Sequence, residues 1–179
     1  TESFKKSRNS KPASSSLRAL LRHPRAVLTV VGLTLGGTVA FYTYTTYMLK
    51  FLVNSVGMAK QTATLISAAT LILYMLLQPL VGALSDRIGR RPILIAFGVF
   101  GSLLTVPILS RLGSVGSALE AFGLILLALV IVSGYTAINA VVKAELFPVE
   151  IRALGVGLPY ALTVSLFGGT AEYVALWFK

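Results

Sequence analysis

Long apolar runs separated by short polar segments make up most of this chain. The runs cover roughly residues 26–49, 63–84, 93–112, 119–142 and 153–178. Because an α-helix rises about 1.5 Å per residue, about 20 apolar residues cross a hydrocarbon core about 30 Å thick. Each run is long enough to do so. The pattern therefore predicts an all-α, multi-span membrane protein with five transmembrane helices.

The residues before the first run have a different character. Residues 1–16 are rich in Ser, Lys and Pro with almost nothing apolar to bury, which predicts a disordered cytoplasmic linker. Residues 17–25 are basic and favour a short juxtamembrane helix. The chain starts with Thr-Glu-Ser, and no signal-peptide pattern precedes the first run. We therefore interpret it as an internal piece of a longer protein.

The composition agrees with a membrane protein and narrows the function classes. Charged residues make up 12% of the chain, whereas about a quarter of the residues in soluble domains are charged. A net charge of +10 suggests nucleic-acid binding, but seven of the 16 Lys and Arg precede residue 26. No basic helix face is present, which argues against a nucleic-acid partner. With no Cys, disulfides and thiol chemistry are excluded.

The distribution of Lys and Arg predicts the orientation in the membrane. With a cytoplasmic N-terminus, twelve of them fall on the cytoplasmic side of the predicted spans. The other four, on the opposite side, are Lys50, Lys60, Arg111 and Lys179. Because cytoplasmic loops carry the excess of positive charge in membrane proteins, we expect the N-terminus inside and the C-terminus outside.

The loop between the second and third spans is short and strongly charged. Gly89 permits a tight turn without a Cβ, and Gly82 permits the close approach of another helix, as does the G-x-x-x-G pair of Gly32 and Gly36 in the first span. Asp86 can accept hydrogen bonds from arginines or lie at the positive end of a helix. The loop resembles the signature G-x-L-x-D-R-x-G-R-R of the major facilitator superfamily at every defined position, namely Gly82, Leu84, Asp86, Arg87, Gly89, Arg90 and Arg91. The resemblance implies a cytoplasmic gate latch, and an ordinary positively charged loop is the alternative.

A second charged segment, Lys143–Arg152, lies on the same predicted face. It resembles the E-x-F-P-x-x-x-R segment that follows the tenth helix in many members of the superfamily. We expect Glu145, Glu150 and Arg152 to lie within reach of the arginines of the first loop and to complete an ion-pair network. Local pairing on a solvated segment is the alternative, since single exposed pairs contribute little stability.

Polar residues share one face in three of the predicted spans. The first span carries Thr34, Thr38, Tyr42 and Thr45 at helical spacing, and the fourth carries Tyr135, Asn139 and Lys143. Polar groups avoid lipid, so these faces should line a cavity or contact another helix. Lys143 is close to the predicted headgroups, and we do not include it. The substrate-cavity candidates are Thr38, Tyr42, Thr45, Tyr135, Asn139 and Tyr160 in the fifth span, with interhelical packing as the alternative.

Charged groups within the predicted spans are few. Glu172, near the outer end of the fifth span, is the candidate for proton coupling, with an interfacial ion pair as the alternative. No Lys or Arg falls at the centre of a span, where a charge costs about 2.5–3.5 kcal/mol on insertion scales. We therefore expect the cation that pairs with an anionic substrate to belong to a part of the transporter outside this chain.

Within the superfamily, the chain is similar to the metabolite:proton symporter family. The similarity is carried by five segments, which are Phe41–Met48, Leu52–Asn54, Gln78–Asp86, Arg152–Leu158 and Phe167–Leu176. It implies helices seven to eleven of twelve, a partial C-terminal six-helix bundle. The partners would then be an N-terminal six-helix half and a last helix, because the family's site lies between two halves.

The same resemblance implies a secondary active transporter of the inner membrane. It would take up a small dicarboxylate, in the first place 2-oxoglutarate, with a proton and without a cofactor or metal. The alternatives are symport of shikimate, citrate, or proline and betaine, and a non-transporting membrane scaffold. The predicted spans contain no His and no Asp, so they cannot assemble a metal site or an acid–base pair, and we do not expect an enzyme.

Overall fold

The computed structural model describes residues 17–170, 173 and 177, and within this part of the chain it contains helices and no strand. The α-helices are α1 (Leu17–Leu21), α2 (Pro24–Tyr42), α3 (Met48–Asn54), α4 (Lys60–Ile88), α5 (Arg90–Gly113), α6 (Ala118–Thr136), α7 (Asn139–Glu145) and α8 (Arg152–Thr163). Two π-helical turns extend them: Thr43–Tyr47 joins α2 to α3, and Val164–Gly168 continues α8. The expected all-α class is confirmed. The predicted linker 1–16 and Glu172 lie outside the described residues.

Four stretches of the described chain are long and apolar enough to cross a membrane. They are Pro24–Asn54, Lys60–Ile88, Arg90–Gly113 and Ala118–Glu145, and they contain the first four predicted spans. The fifth predicted span, 153–178, is described continuously only as far as residue 170. The five-span division therefore stays a prediction.

Local sequence explains where several helices begin and end. Pro24 opens α2, where a missing N–H costs nothing because the first turn has no intrahelical acceptor for it. Ser117 caps α6 by accepting a hydrogen bond from the Glu120 backbone N–H at 3.2 Å. Glu120 also pairs with Arg111 at 2.6 Å, so the end of α5 is tied to the start of α6.

Helix α6 lies at the centre of the described bundle. It packs along both α4 and α5, and its residues Ile125, Leu129 and Val132 are almost completely buried. A second group forms where α2 packs against α8 and the second π turn, with Val30 and Phe147 at its core. Outward-facing apolar side chains such as Leu103 are exposed, as expected where lipid rather than water surrounds the helix. The two groups meet where α2 contacts α6.

Close helix contacts occur at glycines other than the predicted ones. At Gly32, Gly36 and Gly82 an added Cβ would have no neighbouring atom within 4 Å among the described residues, so none of the described helices approaches closely there. A Cβ on Gly37 would overlap the ring of Tyr135, and one on Gly168 would lie 2.9 Å from Thr38 Cγ2. Glycine therefore brings α2 against α6 on one side and against the second π turn on the other.

Candidate functional site

A cavity of about 160 Å³ lies where α2, α6, α7 and α8 meet. Its lining includes hydroxyl, amide and aromatic groups. They are contributed by α2, by α6 and α7 of the fourth span, and by α8 with the second π turn. The lining residues are Gly37, Thr38, Phe41, Tyr42, Tyr135, Thr136, Asn139, Tyr160 and Val164. Five of the six predicted cavity residues are therefore brought together, and Thr45 is not among them.

The polar face of α2 follows the predicted spacing only as far as the first π turn. Thr34 and Thr38 are buried, and Thr38 and Tyr42 reach the cavity one turn apart. Thr45 lies within the wider turn 43–47, which shifts later positions away from the 3.6-residue spacing. Its hydroxyl donates to the Phe41 carbonyl at 2.6 Å instead of facing the cavity.

The fourth span is interrupted beside the cavity. Helix α6 ends at Thr136, and α7 starts at Asn139 after a two-residue turn. The Asn139 side-chain amide donates to the Thr136 carbonyl at 2.9 Å, which provides a partner for a carbonyl at the interruption. Irregular backbone is tolerated at membrane depth where it is buried in protein or lines a cavity. The interruption has such a position.

Lys143, which the sequence did not include among the cavity candidates, is buried inside the described bundle. Its side chain is 1% exposed, and Nζ donates to the Tyr135 hydroxyl at 2.9 Å and to Asn139 Oδ1 at 3.3 Å. The ammonium also lies 4.5 Å from the centre of the Tyr160 ring. The spacing of Tyr135, Asn139 and Lys143 already indicated a shared face. The burial of Lys143 depends on contacts with Tyr160 on a distant helix, which spacing along the fourth span does not reveal.

A hydrogen-bonded group joins α4 to the cavity wall. The Tyr74 hydroxyl donates to Thr136 Oγ1 at 2.6 Å, and Thr136 Oγ1 lies 3.0 Å from Gln78 Oε1, to which it can donate. The Gln78 amide in turn donates to the Tyr74 carbonyl at 3.2 Å. Thr136 is thus held in place by two side chains of a neighbouring helix. Hydrophobic spacing along α4 does not identify this group, because Tyr74 and Gln78 contact the cavity only through Thr136.

The charged loop between α4 and α5 turns at a single glycine. Gly89 has φ of +92° and ψ of 160°, a conformation essentially restricted to glycine, and the expected tight turn lies there. Arg90 forms an ion pair with Glu145 at the end of α7. Asp86, Arg87 and Arg91 are exposed, and no described carboxylate pairs with Arg87 or Arg91. The predicted network is therefore represented by one pair.

The segment after α7 is anchored by apolar rather than charged contacts. Phe147 is buried against Gly155, where an added Cβ would lie 2.6 Å from its ring. Arg152 Nε is 3.4 Å from the Phe147 carbonyl, so this arginine stabilises its own loop. Glu150 is exposed, and none of the described arginines pairs with it. In the described part of the chain, no three His, Cys, Asp or Glu side chains come together in a way that could hold a metal ion.

Comparison with known proteins decides the family. The protein-family model described as the Major Facilitator Superfamily matches residues 28–170 of this chain. The chain belongs to the major facilitator superfamily. The resemblance expected from the two charged segments is thereby confirmed, and this superfamily member is an integral membrane protein. No solved structure matches the chain.

Several curated relatives in the superfamily are transporters of small organic solutes. The chain is 54% identical over 164 residues to the alpha-ketoglutarate permease of Escherichia coli K12, covering 92% of this chain and 38% of the permease. It is 30% identical to an ectoine/proline transporter of Corynebacterium glutamicum, covering 88% of this chain and 31% of that protein. It is also 30% identical to a citrate-proton symporter of Klebsiella pneumoniae, covering 77% and 31%. The chain thus spans about a third of the length of these relatives.

Proposed function

We propose that this chain supplies helices seven to eleven of a twelve-helix symporter that takes up a small dicarboxylate, 2-oxoglutarate, together with a proton. The observation that carries the proposal is the 54% identity to a permease named for alpha-ketoglutarate over 92% of this chain. The remaining partners are an N-terminal six-helix half and a last helix of the same transporter.

The chemistry of the cavity supports a carboxylate as the transported group. Carboxylates accept hydrogen bonds, and Thr38, Tyr42 and Asn139 offer hydroxyl or amide donors around the space. The solutes named for the three relatives, alpha-ketoglutarate, ectoine or proline, and citrate, all carry at least one carboxylate. The hydrogen-bond donors around the cavity suit the carboxylate that these solutes have in common.

The charged loops support alternating access. The Arg90–Glu145 pair joins the α4–α5 loop to the end of α7, the short helix that starts at the interruption beside the cavity. We propose that this pair, with Gly82, Asp86, Arg87, Gly89, Arg91 and Arg152 around it, belongs to the cytoplasmic gate. The twelve-to-four distribution of Lys and Arg supports an inner-membrane orientation with a cytoplasmic N-terminus. Glu172 remains the candidate for proton coupling.

Symport of another metabolite is the second candidate function. It is favoured by the 30% identities to the ectoine/proline transporter and to the citrate-proton symporter. A single extra methylene or hydroxyl changes binding in a pocket by about 1–3 kcal/mol, so a few side chains decide between such solutes. A scaffold without transport would have no use for a polar cavity at the meeting point of three spans.

The test is uptake by the complete transporter that contains this chain, in membrane vesicles of cells lacking dicarboxylate uptake. Labelled 2-oxoglutarate should accumulate when an inward proton gradient is imposed and should stop accumulating when a protonophore removes the gradient. Excess unlabelled citrate, shikimate or proline should compete weakly. Strong competition by one of them would move the assignment to that solute. The absence of gradient-dependent uptake of every one of these solutes would refute symport.

A further inference from the structure

A buried lysine beside the cavity has no charged partner among the described residues. Lys143 is 1% exposed, and the ion pairs among the described residues, Arg90 with Glu145 and Arg111 with Glu120, do not include it. Its ammonium contacts neutral groups: the Tyr135 hydroxyl, Asn139 Oδ1 and the face of the Tyr160 ring. Within the part of the chain that the structure describes, the ammonium therefore lacks the counter-charge that buried charges normally have.

The hydrogen bonds of Lys143 leave it incompletely satisfied. An ammonium has three N–H donors, and the described residues offer it two acceptors. The Tyr160 ring, with its centre 4.5 Å from Nζ, adds cation–π attraction but no conventional hydrogen-bond acceptor for the third donor. A charge within a span is costly, so a chain that needed only to fill this space would do better with an apolar side chain such as Met.

The groups around the ammonium are also the wall of the cavity. Tyr135, Asn139 and Tyr160 each line it, while Lys143 itself lies behind them, one side chain away. Tyr135 is held in place, since it is buried and stacks on Phe97 with ring centres 5.4 Å apart. Tyr160 is 43% exposed, and its hydroxyl has no hydrogen-bond partner in the described part of the chain. Rotation of the Tyr160 side chain would therefore open Lys143 to the cavity.

We propose that the Lys143 ammonium pairs with a carboxylate of the transported solute, with Tyr135 and Asn139 positioning Nζ and Tyr160 moving aside to admit the anion. The proposal rests on the proposed function, because it assumes that the cavity receives a carboxylate solute. It assigns to this chain the cation that the sequence alone placed elsewhere. The solute would supply the missing counter-charge and accept the third N–H.

The test is a double-mutant cycle between Lys143 and the carboxylates of the solute. The purified complete transporter is titrated with 2-oxoglutarate and with each of its two monoamides, in which one carboxylate is neutral. Truncating one partner of a buried charge pair costs about 2–5 kcal/mol, so Lys143→Met should weaken 2-oxoglutarate binding about 30-fold or more. The same variant should weaken binding of one monoamide less than about 3-fold, because that ligand has already lost the paired charge.

Controls separate pairing from loss of structure. Lys60→Met removes an exposed lysine at the start of α4 and should leave binding of all three ligands within twofold of the wild type. Lys143→Arg keeps the charge and should keep most of the discrimination between the dicarboxylate and the monoamides. If Lys143→Met does not elute as folded protein, Lys143→Gln is measured instead, since an amide can keep the contact with the Tyr135 hydroxyl.

The outcomes distinguish this proposal from the proposed function. Equal weakening of the dicarboxylate and both monoamides would overturn it, because Lys143 would then support the fold or pair with a carboxylate of the protein. If the wild type binds no 2-oxoglutarate but takes up another carboxylate solute, the substrate assignment fails, and the same cycle is run with that solute and its amide. If the wild type binds no carboxylate solute, both proposals fail.

Discussion

The close contact between Gly37 and Tyr135 leads to a prediction for which the neighbouring Gly36 provides the control. Gly36 and Gly37 are adjacent on α2, yet an added Cβ overlaps the Tyr135 ring at position 37 and has no neighbour within 4 Å at position 36. Replacing either glycine by alanine should stabilise the helix by about 1 kcal/mol, because alanine has the higher helix propensity. Only Gly37→Ala must also displace a buried ring, and overpacking of this kind costs about 1–3 kcal/mol.

The displacement should also reach the cavity. Tyr135 stacks on Phe97 and accepts the hydrogen bond from Lys143, so its ring cannot yield without disturbing one of these contacts. We therefore expect Gly36→Ala to be as stable as the wild type or slightly more stable. Gly37→Ala should be less stable than Gly36→Ala by about 1–3 kcal/mol. This difference is the cost of overpacking, because both variants gain the same helix propensity.

The assay is thermal unfolding of the purified transporter in detergent, combined with initial rates of uptake. Because the Tm falls as a protein is destabilised, Gly37→Ala should have a lower Tm than Gly36→Ala. In a Tyr135→Ala background the ring is absent, and Gly37→Ala should then cost nothing. An undiminished cost of Gly37→Ala in that background would refute the assignment of the effect to the Tyr135 ring.

Three further predictions concern the helix ends. Glu145→Arg should slow uptake by repelling Arg90, and adding Arg90→Glu should recover part of the rate. Because exposed pairs contribute up to about 1 kcal/mol, the recovery should be no more than about fivefold. No recovery would argue against a direct pair. Gly89→Ala should destabilise the transporter by about 1–3 kcal/mol in thermal unfolding, since its φ is +92°, whereas Gly98→Ala should not, because a Cβ there has open space. Ser117→Ala should lower the stability by about 0.5–2 kcal/mol through loss of the cap on α6, and an unchanged Tm would contradict this role.

The sequence was sufficient for those features that depend on local composition. Apolar length located the first four spans, because crossing a hydrocarbon core requires a run of about 20 apolar residues whatever the tertiary structure. The turn at Gly89 was also predictable, since Gly89 is the residue of the charged loop that tolerates a positive φ. The polar face of α2 was predictable up to Tyr42, as long as the backbone kept 3.6 residues per turn.

The features that could not be predicted depend on backbone irregularity or on a distant neighbour. The π turn at Thr43–Tyr47 removes Thr45 from the cavity, and the fourth span is interrupted after Thr136, before the short helix that carries the buried Lys143. Neither has a distinct signature in the order of apolar and polar residues. The spacing of Gly32 and Gly36 suggested close packing, but the approach occurs at Gly37, because the neighbouring aromatic ring comes from α6.

The irregular turns share one location, and this bears on how the cavity could change shape. The first π turn directly follows Tyr42, the interruption of the fourth span directly follows Thr136, and the second π turn starts at Val164; all three of these residues line the cavity. By contrast, α4 and α5 run without such a turn over 29 and 24 residues, and they contribute no lining residue. Hinge motions need only a few residues that change φ and ψ, and π turns often mark such functional places. If the transporter works by alternating access, as proposed, bending at these three turns changes the wall of the cavity while α4, α5 and most of α6 remain packed as a support.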